Sequence, residues 1–285
     1  VSSLAKDIER IYLKEGIIAA CFVPPQEIKD GRVILKVVES RMGELKVKDH
    51  NFFNKKRIEY YWRLDKGDTL RYDKISRSLQ HMNMNPDRRA KATLHAGKEP
   101  GTTDVLLDVT THFPAHFMYS FDKEGSTYTG LAKSTFGGKH NNLLGLDDTL
   151  MSGFMYGDEF SAFYAYHKVP ITPFGTSVLY GYTYSKATPK KDFTRFELKS
   201  MAHNASIFFH QDLFQKDEYM GEAYIGADAK SKTIKQADLT TNRDVLRVLR
   251  GWIEDGSRRC HMVVNTGMHG TIMAHRDPAF KKVLD

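Results

Sequence analysis

Residues 91–109 read KATLHAGKEPGTTDVLLDV. Ala92, Leu94 and Ala96 alternate with Lys91, Thr93 and His95, and Val105, Leu107 and Val109 alternate with Asp104, Leu106 and Asp108. Period-two alternation means two strands, each burying one face. Between them, Lys98-Glu99-Pro100-Gly101 sets Pro beside Gly, a strong turn signal. A hairpin alone is marginal in water, so neighbouring residues must cover its apolar face.

The cover lies just upstream. MGELKVKD (42–49) reads as a strand, and NKKRIEYYWR (54–63) as a short helix with Ile58, Tyr61 and Trp62 on one side. KGDTLRYDKISRSLQHMNMNP (66–86) holds a loop and a second helix, with Asp73 as its expected N-cap, Ile75, Leu79 and Met82 as its stripe, and Pro86 as its stop. The order is strand, helix, helix, strand, strand, so the two helices cover the hairpin. Residues 1–41 repeat the end of that plan. Leu4, Ile8, Ile11 and Tyr12 mark a helical stripe, Gly16 a stop, and IIAACFVP and RVILKVVES two strands joined by PQEIKDG. The chain opens on Val1 inside a helical pattern and stops at Asp285 without a closing signal, so it is read as an internal piece of a longer protein.

Downstream of Phe113 the texture changes. No convincing helix is read there. About ten alternating runs follow, split by Gly, Asn, Asp and Lys: AHFMYSF, TYTGLAKSTFG, TLMSGFMYG, SAFYAYHKV, SVLYGYTYSK, FTRFELKSM, ASIFFHQDLF, YMGEAYIGADAK, RDVLRVLRGWIED and CHMVVNTGMHG. In SVLYGYTYSK, Val178, Tyr180, Tyr182 and Tyr184 share one face, and Ser177, Gly181, Thr183 and Ser185 the other. An aromatic face opposite a small polar one fits a membrane-spanning β-barrel strand. A soluble β-sandwich gives similar runs.

Composition narrows the function classes. The 285 residues carry a net charge of +7 and 41% apolar residues, enough for a core. A mild basic excess suits a nucleic-acid surface, an anionic membrane, a module handling an exported chain, or simply a solvated surface. NKKR (54–57) reads as a solvated helix face, not a nucleic-acid patch. Two cysteines, Cys21 and Cys260, form no disulfide framework or zinc spacing. His261, His269 and His275 beside Cys260 fit no zinc pattern. No glycine loop of nucleotide-binding type and no catalytic constellation is read, so no enzyme activity, cofactor or metal is expected. No apolar run reaches the roughly 18 residues of a transmembrane helix.

The repeated strand–helix–helix–strand–strand unit resembles tandem POTRA (polypeptide-transport-associated) domains. VPPQEIKDGRVILKVVESRMGELKV (23–47) resembles the junction of two such domains in two-partner secretion transporters of the haemolysin secretion/activation type, through Pro25, Gln26, Asp30, Gly31 and Glu39. Ser40 stands where that family often has Gly. Gly67, Asp68 and Leu70, the segment from Asn83 to Pro86, and the turn from Gly97 to Asp104 extend the likeness, as do GSTYTGLAKS (125–134) and NNLLGLDDTLMSGFMYG (141–157) at the start of a barrel. The resemblance implies the end of a first POTRA domain at 1–41, a second at 42–112, and the first part of an outer-membrane antiparallel β-barrel at 113–285. It further implies a bacterial outer-membrane protein with periplasmic POTRA domains, monomeric, in contact with outer-membrane lipid. Its partner would be an unfolded secreted exoprotein of haemolysin or adhesin class, and no nucleic acid. VLRGW (248–252) tempts as the family's late inward-folded loop motif, but lies inside an alternating run and is read as a barrel strand. The exoprotein groove is expected along the hairpin's first strand, at Ala92, Thr93, Leu94 and Ala96, with Ile75 and Leu79 opposite. A related barrel-assembly factor, and a soluble β-rich enzyme or binding protein with small α+β modules, remain the alternatives.

Overall fold

The computed structural model describes residues 2–27, 32–216, 219–255, 258–267 and 272–274. The chain forms two compact units, Val1–Phe113 and Pro114–Asp285.

In the first unit, α1 (Ser2–Lys14) precedes an antiparallel pair, β1 (Ala19–Phe22) and β2 (Lys36–Glu39). Gly16 ends the helix at φ +77°, a backbone state open to glycine at no steric cost. On α1 Ala5 is buried and Ile8 and Tyr12 are half-buried, whereas the expected Leu4 and Ile11 are exposed. Both β-strands are shorter than the alternation suggested. The Gln26 side chain bonds the amide and the carbonyl of Ile34, both at 2.8 Å, and so holds that residue outside the pairing. The expected Asp30–Gly31 turn lies outside the described residues.

Next come β3 (Arg41–Lys48), α2 (Lys55–Tyr60), α3 (Tyr72–Asn83), β4 (Arg88–Ala96) and β5 (Thr102–Thr111). The sheet order is β3-β5-β4, with β5 parallel to β3 and antiparallel to β4. A parallel pair needs a crossover, and the two helices lie within it. They bury Ile58, Ile75 and Met82 with Met42, Leu70, Val105, Leu107 and Val109. Gly43 sits at a register shift of β3, where an added Cβ would lie 2.2 Å from Asp104 Oδ1 and 3.2 Å from the Thr103 carbonyl. Asp104 uses that space to accept from the Glu44 amide at 2.8 Å. Asp73 is not the N-cap of α3. That position is Arg71, and Asp73 in the first turn accepts from its Nε at 2.9 Å. Main-chain bonds tie 1–41 to the later residues, among them Ile18 to Leu70 and Tyr72 to Gly16.

The second unit is a ten-stranded antiparallel sheet among the described residues, running in chain order from β6 to β15. β6 (Ala115–Asp122), β7 (Lys133–His140), β8 (Thr149–Gly157), β9 (Phe160–Pro170) and β10 (Thr176–Ala187) match single expected runs. FTRFELKSM and ASIFFHQDLF do not form two strands. A 3-10 turn at Lys191–Phe196 takes the first residues, and the rest merges into β11 (Leu198–Lys216). β12 (Tyr219–Gln236), β13 (Leu239–Asp255), β14 (Arg258–Gly267) and β15 (Ile272–Ala274) complete the sheet. VLRGW lies within β13, as an ordinary strand segment. The side chains of Cys260 and His261, and all of His269 and His275, lie outside the described residues.

Register sorts the two faces. One row joins Tyr119, Phe136, Phe154, Phe163 and Tyr184 across β6–β10, and another joins Tyr180, Ile207 and Leu249 through β11 and β13. Phe117, Tyr119, Phe136, Phe154, Tyr180, Tyr182, Ile207, Phe209, Ile225 and Leu249 are all exposed on this face, Phe117 to 93%. The opposite face carries Ser120 and Thr135, then Lys168, Ser206, Asp228, Lys230 and Arg250. Exposing so much contiguous apolar surface in water is unfavourable; a hydrocarbon surround removes the cost.

Candidate functional site

The candidate binding edge is β4. Among the described residues it pairs with β5 alone, so one side of its backbone is unpaired in the sheet. Parity identifies which groups face out. The Gly97 amide bonds the Thr102 carbonyl at 2.9 Å, placing odd-numbered residues in the ladder. Ala90 points the other way, its amide donating to Asn83 Oδ1 at 2.6 Å and its carbonyl accepting from Asn83 Nδ2 at 3.1 Å. In an antiparallel strand, the N–H and C=O of one residue point to the same side. The outward groups are therefore those of Ala92, Leu94 and Ala96, while the Thr93 backbone belongs to the ladder with β5. Asn83 closes the edge at Ala90 and leaves it open from Ala92 onward. Sequence reading marked this Asn only as part of a likeness; its side chain is the edge's first partner.

Burial separates the six expected groove residues. Thr93, Leu94 and Ala96 are exposed, Leu94 to 41%. Ala92 and Leu79 are half-buried against the core. Ile75, only 6% exposed, belongs to the core and offers no surface to a ligand. Charge around the unit is locally paired. The Lys98 ammonium, bonded to Glu44 at 3.3 Å, holds that carboxyl below its ordinary pKa, aided by Lys46. On α3, burial followed by the charge of Arg63 pushes the His81 pKa down to about 4. Burial opposes the Asp73 charge, yet the bond and charge of Arg71 hold its pKa below the usual value.

The second candidate surface is the polar face of the large sheet. Arg250 is paired with Asp228, which is almost fully buried, and lies 5.5 Å from the Phe208 ring centroid. Tyr224 stacks on Trp252 at 4.6 Å. Glycines admit neighbouring rings here: a Cβ at Gly153 would meet the Tyr164 ring at 2.5 Å, and one at Gly181 the Tyr166 ring at 2.2 Å. On the aromatic face, at the sheet end where β9 finishes, His167 bonds Asp148 at 2.7 Å and Tyr180 at 2.6 Å. Asp148 also accepts from the Leu144 and Leu146 amides, so the chain of three fastens the turn before β8 to the sheet.

These two surfaces, an open strand edge in the first unit and, in the second, a sheet with one apolar and one charged face, agree with what the chain matches. The family described as "Haemolysin secretion/activation protein ShlB/FhaC/HecB" matches residues 101–250, just over half of the chain. The chain belongs to this family. Among its relatives, it is 27% identical over 153 residues to "Heme/hemopexin transporter protein HuxB" of Haemophilus influenzae (strain 86-028NP), covering 53% of this chain and 27% of HuxB. It is 23% identical over 183 residues to "Outer membrane transporter CdiB" of Dickeya dadantii (strain 3937), covering 64% of this chain and 32% of CdiB. The chain thus spans about a third or less of the length of these curated relatives. Its fold is similar to CdiB from Escherichia coli, with a TM-score of 0.73 at 16% identity over 97% of this chain and 54% of that one. It is also similar to BamA from Haemophilus ducreyi lacking POTRA domains 1–3, with a TM-score of 0.62 at 12% identity over 94% of this chain and 57% of that one.

Proposed function

We propose that this chain is part of an outer-membrane pore of a two-partner secretion system. The observation that carries the reading is the two-faced sheet: an aromatic and aliphatic face that suits lipid, backed by a charged and small polar face that suits a water-filled lumen. A soluble β-rich enzyme has no use for that outer face. In this reading the sheet is the first part of a closed barrel beginning at residue 113, residues 42–112 are a complete POTRA domain, and 1–41 the end of another. The protein acts as a monomer and performs no catalysis.

The substrate is an unfolded exoprotein captured in the periplasm. The outward amides and carbonyls of Ala92, Leu94 and Ala96 offer main-chain hydrogen bonds to an extended segment of any sequence. Leu94 and the flank formed by Ala92 and Leu79 offer apolar contact beside them. The BamA-like fold favours a second reading, a factor that assembles other outer-membrane proteins, and one experiment separates the two. In cells producing the full-length protein and its exoprotein, deleting the transporter should abolish exoprotein at the surface and leave other outer-membrane proteins at their normal levels. Loss of those proteins, with the exoprotein still secreted, would establish the assembly role instead.

A further inference from the structure

Five side chains from three adjacent strands converge on the polar face near the end of the sheet where β10 begins: Ser177 on β10, His210 and Asp212 on β11, Glu222 and Tyr224 on β12. His210 is only 2% exposed. Its Nε2 lies 3.2 Å from Asp212 Oδ1 and 3.6 Å from Glu222 Oε2. Neither His210 Nε2 nor Asp212 Oδ1, both buried, makes a hydrogen bond of acceptable geometry. Three potential ligand atoms thus face a common point, and two of them are buried without a hydrogen bond, a costly arrangement unless something satisfies them.

We propose that His210, Asp212 and Glu222 bind a divalent transition-metal cation of the zinc class. Ligand atoms about 2.0–2.2 Å from a tetrahedral zinc lie roughly 3.3–3.6 Å from one another, close to the two distances from His210 Nε2, and all three atoms lie within 4.8 Å of one another. One imidazole and two carboxylates neutralise the ion and leave a fourth position for water. The surrounding bonds support the same assignment. Ser177 Oγ lies 2.9 Å from His210 Nδ1, so an Nδ1–H donated to it leaves Nε2 with its lone pair facing the cluster. The Tyr224 hydroxyl donates to Glu222 Oε2 at 2.7 Å, and the Tyr224 ring lies 4.6 Å from the His210 ring. Ligating imidazoles and carboxylates are commonly oriented by such partners. Lys168 on β9 faces the same region and supplies the competing neutraliser of the two carboxylates. A bound ion would fasten β11 to β12 beside the register shift between Asp212 and Phe214. The assignment rests on this sheet alone and stands apart from what the pore transports.

The test uses the full-length protein in detergent, stripped with a chelator and dialysed against zinc chloride, with bound zinc measured by mass spectrometry. Substituted cobalt(II), whose visible d–d bands report coordination geometry, provides a second readout. The proposal expects one saturable zinc site per chain, with affinity falling by about tenfold or more in His210→Gln and in Glu222→Gln. His203→Gln, on the opposite face, should leave that site unchanged. A difference in gel mobility between unheated and heated protein checks that each variant is folded. Glu222→Gln keeps the Tyr224 hydrogen bond and decides the matter where His210→Gln does not fold. Absence of a saturable site in the wild type, or a site that survives in folded Glu222→Gln, would overturn the proposal and leave an ion-pair cluster with Lys168.

Discussion

At the scale of single residues, environment changes what a side chain does. His81 looks in sequence like an ordinary exposed histidine of a polar helix, yet burial and Arg63 lower its pKa to about 4. The unfolded chain takes up that proton near pH 6.5, so between about 6.5 and 4 the unfolded state holds more protons than the folded one. Stability supplied by this group is therefore full above pH 6.5 and declines as pH falls towards 4. Thermal melts of the first unit's residues should show that decline in the wild type and a flatter profile in His81→Gln. Equal pH profiles in the two proteins would contradict the assignment. Glycines show the same dependence on surroundings. In sequence, Gly153 and Gly181 simply interrupt alternating runs, whereas in the sheet they make room for Tyr164 and Tyr166.

At the scale of elements, β4 makes two separable predictions through its backbone parity. Thr93 bonds into the ladder, so Thr93→Pro removes a bond to the central strand and should destabilise residues 42–112, expressed alone, by about 3 kcal/mol or more. The Leu94 amide faces outward, so Leu94→Pro should cost only about 1 kcal/mol in folding. Circular dichroism melts check both, and they also check that 42–112 folds cooperatively on its own. In the full-length protein, Leu94→Pro should weaken binding of the exoprotein's N-terminal region at both low and high salt, because main-chain bonds are not screened. Unchanged affinity in the folded variant would place the substrate elsewhere. Alternation made β5 and β8 legible in the sequence; it placed β4 as well, but Leu94 and Ala96, expected on its buried face, are exposed. It failed for β11, where a 3-10 turn consumed half of one run and the remainder joined the next. It also overstated β1 and β2, because nothing in the pattern shows Gln26 capturing Ile34. The edge itself was foreseen, but which amides face out was not: that depends on register, which Asn83 and Gly97 reveal only once folded. The His210 cluster was invisible for a similar reason. Its members are spread over 48 positions, from Ser177 to Tyr224 counted inclusively, and share no spacing.

At the scale of the whole molecule, chemistry is divided by surface. The first unit offers a strand edge that is unpaired in its sheet among the described residues. The second offers a sheet whose two faces differ in solvent preference from β6 to β11. The family match spans residues 101–250, from β5 through most of β13. The central claim, that the aromatic face meets lipid and the charged face meets water, can be tested directly by spin labelling. In the full-length protein with Cys21 and Cys260 changed to Ser, single cysteines at Phe154, Tyr182 and Ile207 would be labelled and compared with cysteines at Thr135, Thr183 and Ser206. After reconstitution into lipid vesicles, the collision rate of each label is measured with oxygen, which partitions into bilayers, and with a water-soluble nickel complex. The account predicts that the first three labels respond to oxygen and the second three to nickel, switching between the adjacent positions 182 and 183. The same response at both positions, or nickel accessibility on the aromatic face, would contradict it.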